Sequence, residues 1–488
     1  MSRTPSSGSG AWAAAGIVIA ISLLSAFTAR LPTVEPVVNA SAPVADPGAA
    51  PAGGEAPVAA PAGSDGPVPV PAGSAPVTTV GGKVYDCAKG HNAGATDVGV
   101  TAKEIRFAAT VVKTGIAKDF LADAQFGMEA VRQKINRQGG VCGRTIQITY
   151  QDDGWEPARG QRIIEGWIQS KKFFGLAVNP SSEGVRGAID SHVIRDAKFP
   201  VIGSDGQLID QYQDPWVWPV ATSTASVMHI MARHAWQQGA RRFGIVWDQN
   251  YRFGVEGHKA FLGSIKRLGG TVTSDVGVQG GQQSYSNQVN DFIGSCGGTS
   301  FARCDFVAML LEPATATRWV GDGGLGNGNQ RPRVGIGAPQ PLFVDAFARD
   351  CGKYCDGMLV WTSFKPPLDP FDKEPAVATY LADLRRVNSK ADANNPHVQG
   401  AYIGMQLLVE ALTRLGPAPT RLGIKAVLDT MTFETGLAPP MRFSKGRPQF
   451  PNVKAQAFAS LAQTGSFQGW RYANSGFIDD VDAGKDAA

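Results

Sequence analysis

Two α/β lobes, each a parallel sheet with helices on both faces, are the fold class this sequence predicts. Three observations carry the expectation. Short apolar runs alternate with segments of helical periodicity from residue 104 onward, the pattern of a parallel sheet. The alternation breaks at "DPWVWPVATST" (214–224) and then restarts, so the pattern occurs twice. The chain has 488 residues, 43% of them hydrophobic, enough to bury two cores with a cleft between them.

The N-terminal 80 residues are of another kind. "AWAAAGIVIAISLLSAFTA" (11–29) is uncharged, close to the length that spans a bilayer as a helix, and flanked by Arg3 and Arg30. Residues 1–30 read as a membrane anchor or as a cleaved export signal, and either reading exports the rest of the chain. No cysteine precedes Cys87, which excludes a lipid-anchored N-terminal cysteine. Residues 31–80 are rich in Pro, Ala, Gly and Val without periodicity, as in an extended linker. At about 3.1 Å per residue such a linker reaches on the order of 150 Å.

The globular part is predicted to start near Gly99. "EIRFAATVV" reads as a strand, "FLADAQFGMEAVRQKIN" as a helix ending at Gly139-Gly140, and "RTIQITYQDD" as an alternating strand. "PARGQRIIEGWIQS" opens with a proline suited to a first helical turn. A strand "FFGLAV", a helix over 183–196 and a strand "FPVIG" complete the first set. After the break, a helix runs to Gly239 and "RRFGIVWD" is a strand. A helix over 255–268, "TVTSDVGV", a helix over 287–293, "CDFVAMLL", a helix near Trp319 and "RVGIGA" follow. "GMLVWTSF" reads as a further strand, then helices over 375–388, 398–415 and 421–430, and strand and turn chemistry closes the chain.

A net charge of +4, with Lys and Arg scattered and aromatics set among apolar residues, gives no sign of a nucleic-acid partner. Six cysteines allow 15 connectivities. Proximity suggests Cys296–Cys304, Cys351–Cys355 and, by remainder, Cys87–Cys142, as expected in an oxidising compartment. Zinc-ligand spacing is not found in both close pairs, and His229 and His234 are not spaced to share a helical face. No metal and no cofactor are expected. The glycine-rich "GDGGLGNGN" follows a helix instead of linking a strand to one, which argues against a phosphate cradle.

Several segments together resemble one family. "GVTAKEIRFAATVVKTG", "INRQGGVCGRTIQITYQDDGWEPARG", "FGIVWDQNYRFGVEGHKAF" and "QGAYIGMQLLVEAL" are similar, in this order, to type I periplasmic substrate-binding proteins of the branched-chain amino-acid (Leu/Ile/Val-binding) ABC transporter branch. The resemblance runs from about Gly99 to Trp470. It implies two doubly wound, Rossmann-like lobes joined by three hinge crossings, near 217–223, 359–364 and 440–450. Lobe one would comprise 99–221 and 362–439, and lobe two 222–361 and 440–475. It also implies an extracytoplasmic monomer that takes a small polar ligand, an amino acid or a related amide or acid, and delivers it to an ABC transporter permease. A sensing module with a separate signalling partner is the alternative; no enzymatic activity is implied.

In such a fold the ligand meets strand ends and helix N-termini. Ser181 and Ser182, in "NPSSEG", follow a strand where relatives offer donors to a ligand carboxylate; a helix cap is the plain alternative. A nucleophilic serine would need a Gly-x-Ser-x-Gly elbow, which is absent. Asp205 and Gln207, in "GSDGQ", depart from the small residues of relatives that take amino acids, and Asp205 would repel a carboxylate unless the ligand also carried a cation. A simple turn also explains this stretch. Tyr251 or Phe253 is placed to cover a ligand, although core packing accounts for most aromatics. Glu312 stands at a strand end. Gln340 lies near where amino-acid binders carry a glutamate for the ammonium. Trp155 would line the cleft mouth or cap lobe one.

Overall fold

A computed structural model describes residues 77–80, 82–462 and 465–486. The anchor or signal reading and most of the linker lie outside the described residues. Among the described residues no helix is long and apolar enough to cross a membrane.

A hairpin of β1 (Val77–Val80) and β2 (Lys83–Asp86) precedes the part that the sequence reads as globular. The first β/α set is β3 (Glu104–Val111), α1 (Lys118–Leu121), α2 (Ala124–Arg137), β4 (Thr145–Asp152), α3 (Pro157–Ser170), β5 (Leu176–Asn179), α4 (Ser182–Asp190), α5 (Val193–Asp196), β6 (Val201–Ser204), α6 (Asp210–Gln213) and β7 (Val217–Pro219). The second is α7 (Thr224–Gln237), β8 (Arg242–Asp248), α8 (Arg252–Leu268), β9 (Thr271–Val278), α9 (Ser286–Ser295), β10 (Phe306–Leu310), α10 (Pro313–Gly321), β11 (Gly335–Ala338), α11 (Asp345–Cys351) and β12 (Leu359–Thr362). Three helices follow: α12 (Pro375–Val387), α13 (Pro396–Leu415) and α14 (Arg421–Leu428). The chain closes with β13 (Thr432–Phe433), β14 (Met441–Arg442), β15 (Lys454–Leu461), β16 (Gly469–Tyr472) and β17 (Ile478–Asp479).

The first sheet is parallel in the order β4-β3-β5-β6-β7. The second carries β9-β8-β10-β11-β12 in parallel and adds β15 and β16 antiparallel at its far side. Counted in chain order, both parallel sets read 2-1-3-4-5. That order makes a topological switch point, one between β3 and β5 and the other between β8 and β10, where a ligand crevice opens at the strands' carboxyl ends. The fold is an α/β architecture of two doubly wound sheets, as the resemblance implies.

Burial explains the central strands. β3 alternates at its start and is then buried on both faces from Phe107 to Val111, as expected where helices cover both sides. α13, though opening with polar residues, buries 16 of its 20 residues and packs on α2, α14, β5 and β6 of the first sheet. Its approach to β6 relies on glycine. Gly203 has φ +81°, and a Cβ there would lie 2.4 Å from the Gly404 Cα. Gly203→Ala combines left-handed strain of about 1–2 kcal/mol with overpacking of about 1–3 kcal/mol. A fall in the thermal midpoint of several degrees is expected in calorimetry.

Two helices are interrupted where the sequence reads them as continuous. The 120–136 helix divides at Ala122–Asp123, and the 183–196 helix divides at Ser191–His192, where His192 takes a left-handed φ of 61°. The six cysteines form Cys87–Cys142, Cys296–Cys304 and Cys351–Cys355 disulfides. At the C-terminus, residues 478–486 strap the second lobe. β17 pairs with β15, the His229 ring lies between Asp480 and Asp486, and Asp482 meets Arg233 and Arg267.

Candidate functional site

The carboxyl ends of the two sheets face each other across a closed seam. On the first lobe, β5 ends at Asn179-Pro180 and α4 begins with Ser182. The Thr110 hydroxyl donates to Asn179 Oδ1 at 2.5 Å, and Asn179 Nδ2 donates to the Ser181 carbonyl at 2.7 Å, which fixes this turn. Ser181 Oγ does not cap its helix: it donates to Asp153 Oδ1 at 2.9 Å. Burial raises the Asp153 carboxyl to about 6, while the Trp155 N–H and the Ser181 hydroxyl pull it back down. The hydroxyl of Ser182 faces the Asp205 carboxyl instead.

Carboxylates bridge the seam in both directions. Glu183, fully buried, accepts from the Arg252 and Phe253 backbone N–H groups at 2.6 and 3.4 Å, and its other oxygen accepts from Arg186 Nε at 2.8 Å. This contact explains why α8 begins at Arg252, three residues ahead of its predicted start: a side chain from the opposite lobe satisfies its first amides. In return, Glu256 of the second lobe accepts from the Ile209 N–H at 2.9 Å. Arg252 reaches back to Asp190 at 2.8 Å and to Asp210 at 3.0 Å. Burial raises Asp210 to about 7 and Glu256 to about 8; Asp190 and Glu183 raise Asp210 further, and Asp210 raises Glu256.

Aromatic rings pack across the same seam. Trp155 lies with its ring centre 4.3 Å from that of Tyr251 and 5.7 Å from that of Phe253. Trp155, at φ 65°, and Val178, at φ 58°, both take left-handed backbone, which is strained for a bulky or β-branched residue. Such strain collects at functional sites.

A cavity of about 10 Å³, room for about one water, remains between the lobes. Val178 and Pro180 at the end of β5, Gly203 and Asp205 at the end of β6, and Pro396 and His397 at the start of α13 form one wall. Gln340 and Phe364 stand against them. Several buried polar atoms here have no well-formed hydrogen bond: Asp205 Oδ2, Gln340 Oε1, and both ring nitrogens of His397. Asp205 Oδ1 accepts from Gln211 Nε2 at 2.9 Å, and burial raises the carboxyl to about 7. Burial lowers His397 to about 3, so its imidazole is neutral at neutral pH.

Among the residues proposed from sequence, Asp205 and Gln340 line this cavity, and Ser182 faces Asp205. The Gln207 side-chain oxygen accepts from Thr224 Oγ1 at 3.0 Å, which leaves its Nε2 unpartnered. Tyr251 and Phe253 are seam residues packed on Trp155. Glu312 caps α10, accepting from the Ala314 and Thr315 N–H groups at 2.7 Å each, and burial raises it to about 7. Sequence reasoning did not single out His397, Glu183, Arg252 or Glu256. Only the acidic residue one place after "NPSS" was a signal within reach, and it reads equally well as an exposed first turn.

The geometry meets independent comparisons at this point. A family model described as a periplasmic binding protein matches residues 104–460. A possible leucine/isoleucine/valine-binding protein from Rhodopirellula baltica SH 1 superposes with a TM-score of 0.63 at 19% identity, over 77% of this chain and 98% of that one. A fatty acid ABC transporter substrate-binding protein from Thermomonospora curvata gives 0.64 at 16% identity, over 79% and 94%. An R. palustris solute-binding protein in complex with 4-hydroxybenzoate gives 0.64 at 16%, over 78% and 99%. Curated protein sequences give no match. Two sheets with matching switch points, closed on a small cavity, and a family model spanning most of the folded chain lead to one assignment: this chain belongs to the type I periplasmic binding protein family.

Proposed function

We propose that the chain is an extracytoplasmic solute-binding protein that closes its lobes on a small polar ligand and delivers it to the permease of an ABC transporter. The observation that carries this reading is the set of buried, unpartnered hydrogen-bonding atoms around one interlobe cavity: Asp205 Oδ2, Gln340 Oε1 and the His397 ring. A buried polar group without a partner costs about 1–3 kcal/mol, and a ligand that supplies partners recovers that cost. The cavity is far too small for a solute while the lobes are shut, so entry requires hinge opening. Three disulfides fit an oxidising compartment, and residues 11–29 would hold the chain at a membrane. Similar proteins carry the names of leucine/isoleucine/valine, fatty acid and 4-hydroxybenzoate binding, which supports a small organic solute.

The test follows thermal unfolding of the full-length chain against amino acids, amides, amines, aromatic acids and sugars. A solute at about 100 times its Kd adds about 2.7 kcal/mol of stability. The expected result is a selective upward shift that Gln340→Ala abolishes. No shift from any class would sink the solute-binding reading.

A further inference from the structure

We propose that the solute is a small organic cation, an amine whose ammonium group seats between Asp205 Oδ2 and Gln340 Oε1. The inference rests on the solute-binding reading and names its ligand class. Both atoms are acceptors, both belong to buried side chains (9% and 2% exposed), and neither has a well-formed hydrogen bond. An ammonium offers three donors and no acceptor, the complement of this pair. No cationic side chain lines the cavity, and His397, which also lines it, is neutral. A ligand carboxylate would therefore meet Asp205 with no counter-charge.

Three N-terminal positions around the seam argue in the same direction. They are the usual seats for an anion in this kind of crevice. Here the leading amides of α8 are taken by Glu183, those of α10 by Glu312, and the Ile209 N–H before α6 by Glu256. The protein's own carboxylates fill these positions. Val178, Pro180 and Phe364 supply an apolar wall for the alkyl or aryl part of an amine.

The groups around Asp205 are Ser182 from α4, Gln211, Asp210 and Tyr212 from α6, the Gln207 N–H beside it, His397 on the same wall and Gln340 across the cavity. None is a cation. With its carboxyl raised to about 7, Asp205 is partly protonated at neutral pH. A bound ammonium favours the ionised form and displaces that proton. Affinity for the cation then rises with pH.

Isothermal titration of the full-length chain with n-butylamine and benzylamine, beside butyrate, benzoate and L-leucine, tests the proposal. The expected result is binding of an amine, weakened at least tenfold by Asp205→Asn and tightened by Gln340→Glu. The gain on passing from pH 6 to pH 8 is expected to be about tenfold. The two variants act in opposite directions, so a general loss of folding cannot imitate the pattern. Binding of butyrate, benzoate or L-leucine with both amines silent overturns the cation and leaves solute binding standing. If all five probes are silent, a ligand other than an amine found in the broader thermal screen overturns the cation alone, an amine found there sustains it, and silence in both experiments overturns both readings.

Discussion

Raising the pH from 6.5 to 8.5 is expected to lower the thermal midpoint of the unliganded protein and to part its lobes. Asp205 and Asp210 are raised to about 7, Glu312 to about 7 and Glu256 to about 8, in each case first by burial. In the unfolded chain these carboxyls titrate near 4. Between that value and their folded values the native state holds the extra protons, so stability falls as pH rises through about 7 to 8. Applying about 1.36 kcal/mol per pH unit to each group while it remains protonated gives a loss on the order of 4 kcal/mol over this window. His397, lowered to about 3, has the opposite sign, but its unfolded form is protonated only below about 6.5, outside the window. Asp482, lowered to about 2, adds stability that is lost only at much lower pH. Calorimetry across the window reads the stability, and the radius of gyration from small-angle scattering reads the parting. A flat profile would mean that these carboxyls are ionised in the closed form.

Glu183→Ala is the substitution with the largest expected effect on the seam. It removes a fully buried carboxylate that satisfies two backbone N–H groups of the opposite lobe and the Arg186 guanidinium. Leaving such donors buried and unpaired costs about 3 kcal/mol, in line with breaking a buried charge pair from one side. Because the lost contacts cross the seam, the variant is expected to show a lower thermal midpoint and also a larger radius of gyration at pH 6.5. Arg252 would lose part of its ordering with it, and Asp190 and Asp210 would be left facing each other less well compensated. A lower midpoint with unchanged radius would place the role of Glu183 inside its own lobe.

How much of this was legible in the sequence depended on the range of the signal. "EIRFAATVV", "TVTSDVGV" and "PARGQRIIEGWIQS" carry their structure in their own periodicity, and they form strand, strand and helix as read. The cysteines pair as their proximity suggests. The hairpin at Val77–Val80 and Lys83–Asp86 was masked by the Pro- and Ala-rich composition around it. The seam was harder still. Glu183 and Arg252 are 69 positions apart, and each sits in a first helical turn where a charged residue normally faces water. Their partnership exists only once two lobes are closed. Ser181 was placed at the right turn, but its hydroxyl is committed to Asp153, 28 positions earlier, by a bond that no local pattern announces.

The Cys87–Cys142 bond fixes where the preceding chain joins the fold. Cys142 lies just before β4, at the amino end of the first sheet and so opposite the strand ends that line the cleft. Asn92 reinforces the attachment by donating to the Ala102 and Cys142 carbonyls, and Thr96 does so by donating to the Pro419 carbonyl. The chain that precedes Cys87 is therefore moored to the back of lobe one. A pull along that chain loads a covalent bond at the rear pole and leaves the carboxylate clasp unstressed. Were that preceding segment held in place, lobe one would be the stationary half and lobe two the half free to turn.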